Sequence, residues 1–123
     1  MPAISVLVVD DQADLRLLVR TLIDAANNGL ECRLEASSGE EALSCLADGT
    51  VTVIVLDQMM PGMTGIETAQ EILARHPDQR IILFSAFLDE RLRSEARSLG
   101  IRECIDKTNF RDVVPAVRRA AAA

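Results

Sequence analysis

The chain has 123 residues, the length of one ordinary domain, and its 49% hydrophobic and 26% charged residues are typical of globular proteins rather than disordered or fibrous ones. A net charge of −6 argues against nonspecific binding to nucleic acid or anionic membranes, because phosphate-rich surfaces repel an acidic protein. Its apolar stretches are far shorter than the roughly 20 residues of a membrane helix, and no signal peptide is visible, so we expect one cytoplasmic domain over residues 1–123.

The first part of the chain predicts two strand–helix units. A continuous β-branched run ends abruptly at Asp10 and Asp11, which is typical of a parallel strand buried on both faces. A helical pattern follows and is stopped by Asn28 and Gly29. A weaker, alternating strand of the kind found at sheet edges then precedes a short helix with a capping-box pattern. The predicted strands span 4–9 and 30–36, and the helices span 15–26 and 38–47.

The rest of the chain predicts three further units. A second buried run ends at Asp57 and is followed by a Pro-Gly loop and another capping-box pattern. A strand ending at Ser85 precedes a helix closed by a glycine, and a short strand ending at Asp106 and Lys107 precedes a last helix. That helix places Pro115 in its first turn if Asp112 is the N-cap, and we expect a tail from about residue 119. The predicted strands span 51–56, 80–84 and 101–105, and the helices span 64–76, 88–99 and 112–119.

Five strands alternating with five helices through short loops predict an α/β fold with right-handed βαβ connections and one doubly wound parallel sheet. Three cysteines, an odd number with no C-x-x-C spacing, lie in apolar settings at Cys32, Cys45 and Cys104. This usage indicates free thiols in a reducing compartment.

Polar residues with related chemistry follow four of the predicted strands. They are Asp10 and Asp11, Asp57, Ser85 and Lys107. Ligands of open parallel sheets bind at this carboxyl edge, where the strand order reverses. If the order is 2-1-3-4-5, Asp11 and Asp57 lie on strands about 4.8 Å apart and share one ion.

The charge on this edge predicts a metal ion. Two carboxylates about 4 Å apart repel each other by roughly 4 kcal/mol at an effective dielectric constant near 20, so three carboxylates require a compensating cation. Carboxylate and carbonyl oxygens with open positions favour Mg²⁺ over a Ca²⁺ cage. Zn²⁺ is disfavoured because no His or Cys follows these strands.

A carboxylate attacks phosphorus to give an aspartyl-phosphate when the charge on the transferring group is neutralised. Mg²⁺ and Lys107 would supply that charge, and the Ser85 hydroxyl would donate a hydrogen bond to a phosphoryl oxygen. The residues therefore predict a phosphorylation switch.

Four ordered motifs carry a family resemblance over essentially the whole chain. They are LVVDDQ (7–12), VLDQMMPGMTG (55–65), FSA (84–86) and DK (106–107). With them the sequence resembles the receiver domains of response regulators, the phosphoacceptor domains of two-component signalling. The resemblance implies a flavodoxin-like (βα)₅ fold with strand order 2-1-3-4-5.

The resemblance also implies roles for individual residues. Asp57 is the phosphoacceptor, Asp11 is a direct Mg²⁺ ligand, and Asp10 acts largely through water. The third protein ligand would be the backbone carbonyl of Met59. Ser85 and Lys107 would contact the phosphoryl group.

Several positions depart from the family pattern. Thr108 follows the lysine where proline is usual, as in a subset of receivers joined to DNA-binding output domains. Cys104 replaces the aromatic residue that swings inward on phosphorylation, so either Cys104 moves with a smaller effect or Phe87 takes part. Met59 and Phe87 occupy the two positions that gate water attack in this family. Both are bulky and apolar, which predicts a long-lived phosphorylated state.

The implied function is a signalling switch rather than an enzyme with its own substrate. Its partners would be a histidine kinase or a histidine phosphotransfer protein, and an output domain or downstream protein, with a phosphorylation-dependent homodimer as a further outcome. The alternatives are a receiver-like interaction module that takes no phosphate and, less favoured, a flavin-binding electron carrier. For the carrier, Asp10 and Asp11 would repel the cofactor phosphate. An aspartyl-phosphate phosphatase would need a second acid or base near Asp57 and a cap, and neither Gln58 nor Met59 serves.

Overall fold

The computed structural model describes residues 3–26 and 28–123. These residues form a five-stranded parallel sheet in the order β2-β1-β3-β4-β5, which confirms the predicted α/β topology. The elements are β1 (Ile4–Val9), α1 (Ala13–Ala26), β2 (Leu30–Ala36), α2 (Gly39–Cys45), β3 (Val53–Leu56), α3 (Gly65–Arg75), β4 (Arg80–Ser85), α4 (Glu90–Ser98), β5 (Glu103–Asp106), a 3₁₀ helix (Lys107–Asp112) and α5 (Val113–Ala122).

The sheet separates two apolar cores. Val6 and Val8 of β1 point into a core closed by α1 and α5, and Leu7 and Val9 point into a core closed by α2, α3 and α4. Because β1, β3 and β4 are buried on both faces, the continuous apolar runs of β1 and β3 identified them as strands. The strand ends are thereby fixed, which positions the residues that follow them.

The two capping boxes predicted from the sequence have different outcomes. At α3, the Thr64 side chain accepts from the Glu67 amide and the Glu67 side chain accepts from the Thr64 amide, a complete capping box. At α2, Ser38 accepts from the Glu41 amide, but the Glu41 carboxylate accepts from the Ser37 hydroxyl instead of closing the box.

Some boundaries differ from the sequence prediction. β3 begins at Val53, because the backbone amides of Ser5 and Thr52 each donate to the other residue's hydroxyl, which interrupts the regular β1–β3 ladder. β5 begins at Glu103, and a 3₁₀ helix that sequence reasoning missed separates it from α5. Asp112 occupies the N-cap position but makes no capping bond, and its carboxylate lies 3.5 Å from Arg119. Pro115 lies in the first turn of α5 as predicted, and the helix continues to Ala122 where a tail was expected.

Among the described residues, none of the helices combines the length and the apolar character needed to span a bilayer. The three cysteines are free and partly exposed. Burial raises the pKa of the Cys32 thiol to about 11, which makes it a poor nucleophile at neutral pH.

Candidate functional site

Strand register places Asp10 and Asp57 side by side. Val9 and Leu56 are paired in the β1–β3 ladder, so the next residue of each strand is an aspartate at the same level. The Asp57 amide donates to the Val9 carbonyl at 2.9 Å and extends that ladder. Both side chains are buried, with residue exposures of 3% for Asp10 and 2% for Asp57.

Asp11 completes a group of three carboxylates. Asp10, Asp11 and Asp57 each offer an oxygen, and these oxygens lie within 4.8 Å of one another. Asp11 is exposed, so one side of the group is open to solvent. The sequence prediction that these three residues meet at one edge is therefore matched by the geometry.

Lys107 provides the positive charge at this edge. Its Nζ lies 2.9 Å from Asp10 Oδ2 and 3.1 Å from Asp57 Oδ1. With all three carboxylates ionised, the group and Lys107 together carry a charge of −2. One ammonium therefore leaves most of the repulsion uncompensated.

Lys107 reaches this position across a neighbouring strand. It follows β5 at the edge of the sheet, and its Nζ passes 5.9 Å from the centroid of the buried Phe84 ring. The 3₁₀ helix that begins at Lys107 is capped by Asp106, whose carboxylate accepts from the Thr108 amide at 2.9 Å. A proline at position 108 would have no such N–H, so threonine gives this turn a bond of its own.

The surroundings of Asp57 shift its ionisation. Burial, together with the negative charge of Asp10, raises the pKa of Asp57 from 3.8 to about 6, although Lys107 acts in the opposite direction. Burial and Asp10 therefore disfavour the ionised form of Asp57 more than Lys107 favours it. Such a site attracts a further cation.

Ser85 and Met59 make different contacts at this edge of the sheet. Ser85 is fully buried at the end of β4, and its Oγ accepts from the Phe87 amide at 3.3 Å. The Met59 amide donates to Asp57 Oδ1 at 3.3 Å, and the Met59 side chain is 59% exposed. Asp10, Asp57 and Lys107 are thus in direct contact, whereas the Ser85 hydroxyl is engaged with its own loop.

Two apolar side chains and a thiol lie near this edge. Met59 and Phe87, 73% exposed, follow the adjacent strands β3 and β4 and present large apolar surfaces to solvent. Cys104 lies on β5 beside Leu83 and packs partly against the core beneath α2–α4. Among the described residues, Phe87 is the exposed aromatic residue closest in sequence to Ser85.

Sequence reasoning missed three residues that support the acidic group. The Gln12 amide donates to Asp10 Oδ1 at 2.9 Å, and the Arg16 guanidinium donates to the Asp10 carbonyl at 2.6 Å. Gln58 accepts three backbone hydrogen bonds around the loop after β3. The position of Arg16, within two turns of Asp10 and Asp11, is the signal that would have identified it.

The donor set suits a magnesium ion. Carboxylate oxygens from Asp10, Asp11 and Asp57 are hard ligands, and their unbalanced charge and one open side match an ion that keeps several waters. In the part of the chain that the structure describes, the group contains no imidazole or thiolate, the ligands that favour zinc.

Comparisons with known proteins agree with this geometry. The sequence profile of the family described as "Response regulator receiver domain" matches residues 6–118. The transcriptional activator protein ExaE of Pseudomonas putida is 34% identical over 118 residues, which cover 95% of this chain and 55% of ExaE. The chemotaxis protein CheY of Thermotoga maritima is 33% identical over 102 residues, 83% of each chain. The chain thus spans about half the length of the transcriptional activator that it matches.

One similar solved structure contains Mg²⁺ and BeF. The response regulator protein TrrA from Thermotoga maritima, in complex with Mg²⁺ and BeF, is 33% identical to this chain, with a TM-score of 0.78. The superposition covers 98% of this chain and 99% of TrrA. The similarity therefore extends over the whole fold, including the edge that carries the acidic group.

Proposed function

Because the chain belongs to the response regulator receiver domain family of two-component signalling, we propose that it is a phosphorylation switch whose phosphoacceptor is Asp57. The observation that carries this proposal is the position of Asp57. Its buried carboxylate shares Lys107 with Asp10, inside a group of three carboxylates that opens to solvent at Asp11. A buried, incompletely neutralised carboxylate that lies beside the open side of its group has the charge of an attacking nucleophile and is within reach of a donor entering from solvent.

The proposed metal is Mg²⁺. Asp10, Asp11 and Asp57 would hold it, with the Met59 backbone carbonyl as a further ligand, and TrrA supports this choice because it carries Mg²⁺ with BeF. When bound, the ion supplies positive charge to the oxygens of the transferring phosphoryl group.

Asp57, Lys107 and Ser85 would carry out the transfer of the phosphoryl group. An ionised Asp57 oxygen forms a bond to phosphorus while the bond from phosphorus to the donor's imidazole nitrogen breaks, and the electron pair of that bond stays on the nitrogen. Lys107, 3.1 Å from Asp57 Oδ1, neutralises part of the developing charge. The Ser85 hydroxyl accepts from the Phe87 amide and still has a hydrogen to donate to a phosphoryl oxygen.

Phosphorylation would change the conformation of the surface formed by α4, β5 and α5, and partners would recognise that surface. Lys107 joins the acidic group directly to the end of β5, so a change in its partners acts on that face. We propose a histidine kinase or a histidine phosphotransfer protein as the cytoplasmic donor. The phosphorylated chain would act on an output domain or a downstream protein, and the name of the transcriptional activator ExaE is in line with such an output.

Mass spectrometry tests the proposal. The protein is incubated with Mg²⁺ and acetyl phosphate, and the parent is compared with Asp57→Asn and with Asp48→Asn, a control at an exposed aspartate. We expect one phosphoryl adduct on the parent and on the control, and none on Asp57→Asn. An unmodified parent would contradict the proposal and would favour an interaction module that takes no phosphate.

A further inference from the structure

Gln58, the residue after the proposed phosphoacceptor, holds the first turn of α3. The Gly65 amide donates to the Gln58 backbone carbonyl at 3.0 Å, and the Ile66 amide donates to the Gln58 side-chain Oε1 at 2.8 Å. These are the first two residues of a helix whose initial amides have no partner within the helix itself. Thr64 caps the third amide, so Gln58 satisfies two of the first three.

The same contact brings α3 against the backbone of Asp57. A methyl group added at Gly65 would lie 2.4 Å from the Asp57 carbonyl oxygen and 2.8 Å from Gln58 Cα. The start of α3 therefore touches the phosphoacceptor backbone and leaves no room for adjustment there. A displacement of the helix start is transmitted directly to residues 57 and 58.

Met59 lies inside this bonded loop. Its amide donates to Asp57 Oδ1 at 3.3 Å, and the following Met60 amide donates to the Gln58 carbonyl at 3.2 Å. Bonds on both sides of Met59 restrict rotation of its peptide groups, including the carbonyl proposed as a metal ligand. The orientation of that carbonyl thus depends on where Gln58 is held.

We propose that Gln58 is a positioning residue for the metal site, and that its side-chain amide oxygen fixes the Met59 carbonyl through the start of α3. This inference rests on the proposed function, which supplies the role of Met59. Gln58 is half-buried and makes the bond with an uncharged acceptor, so it orders the loop without adding charge to the acidic group. Supporting residues that orient metal ligands typically change metal affinity by about tenfold or more when removed.

The test compares Gln58→Met, which keeps the side-chain length but removes the acceptor, with Gln58→Glu, which keeps an acceptor at the same place. Gln70→Met, at an exposed position of the same helix, is the matched control. Mg²⁺ affinity is measured by isothermal titration calorimetry, and stability by urea unfolding in EDTA. We expect Gln58→Met to bind Mg²⁺ about tenfold more weakly. Gln58→Glu should bind at least as tightly as the parent, and Gln70→Met should match the parent.

Different outcomes separate this inference from the proposed function. A parent that binds Mg²⁺ and is phosphorylated, with the same Mg²⁺ affinity in Gln58→Met, would overturn the role of Gln58 alone. Lower stability of Gln58→Met with unchanged affinity would assign Gln58 a purely structural role. A parent without Mg²⁺ affinity would refute the proposed function and the inference together.

Hydrogen exchange of the parent provides a second measurement if Gln58→Met does not fold. Mg²⁺ is expected to slow exchange of the Ile66 amide, because the ion and Gln58 hold the same loop. Exchange at Ile66 that does not respond to saturating Mg²⁺ would overturn the inference.

Discussion

Replacing Asp57 with asparagine is expected to stabilise the metal-free protein, by an amount that grows with pH. The pKa of Asp57 is raised from 3.8 to about 6, mainly by burial and then by Asp10. The folded protein therefore binds this proton more tightly than the unfolded chain. The contribution of Asp57 to stability is complete below about pH 4 and is lost as the pH rises through about 6. Asparagine does not titrate and keeps an oxygen for Lys107.

The difference between the two pKa values corresponds to about 3 kcal/mol, at roughly 1.4 kcal/mol for each pH unit. For a domain of this size, 1 kcal/mol changes the melting temperature by roughly 4 °C. We expect Asp57→Asn to melt within about 2 °C of the parent near pH 4, and about 10 °C above it near pH 7.5.

Thermal unfolding followed by circular dichroism in EDTA measures this difference across the pH range. Asp48→Asn removes an exposed carboxylate and should follow the parent at every pH. Melting curves of Asp57→Asn and the parent that stay parallel from pH 4 to 7.5 would refute the argument. Saturating Mg²⁺ should reduce the advantage of Asp57→Asn, because the ion binds the ionised carboxylate of the folded parent.

Three further outcomes are expected. Lys107→Met should cost about 3 kcal/mol in urea unfolding near neutral pH, because two buried carboxylates lose their shared cation. The loss should shrink below about pH 5, where Asp57 takes up its proton, and an equal loss at both pH values would contradict this. Gly65→Ala should cost about 2 to 4 kcal/mol because its methyl group meets the Asp57 carbonyl. Gly100→Ala, with open space but a positive φ of 91°, should cost only about 1 kcal/mol. Met59→Asn should shorten the lifetime of the phosphoryl adduct roughly tenfold by admitting water, and an unchanged decay in mass spectra would argue against a shielding role for Met59.

The sequence predicted the sheet and the acidic group because both depend on short-range patterns. A strand buried on two faces is a continuous apolar run, and the residue that ends it lies at the carboxyl edge wherever the strand sits in the sheet. The three aspartates, Ser85 and Lys107 were therefore identified from their places after the strands. Their mutual approach depended on the strand order 2-1-3-4-5, which the family resemblance implied and the structure confirms.

The features that the sequence did not predict depend on side-chain direction and loop geometry. The bond from Ile66 to Gln58 spans eight residues of an irregular loop, and glutamine has no positional preference that marks it as a helix cap. The 3₁₀ helix after β5 likewise depends on Asp106 capping Thr108, a local competition between side chain and backbone that hydrophobic periodicity does not register. Residues that support the site are therefore harder to predict from the sequence than residues that form it.

The position of Lys107 explains how a change at Asp57 would act on a distant surface. In the structure, the Lys107 ammonium contacts both Asp10 and Asp57, and Lys107 is also the first residue of the 3₁₀ helix that leads into α5. Under the proposed function, phosphorylation converts a single negative charge on Asp57 into a group with nearly two negative charges whose oxygens lie farther from the strand. Lys107 then has a stronger partner in a different place, and the turn capped by Asp106 must adjust to it. Because Cys104 stands where the family usually has an aromatic residue, we expect the contact through Lys107 to carry more of the coupling in this chain, beside any smaller movement of Cys104 or Phe87.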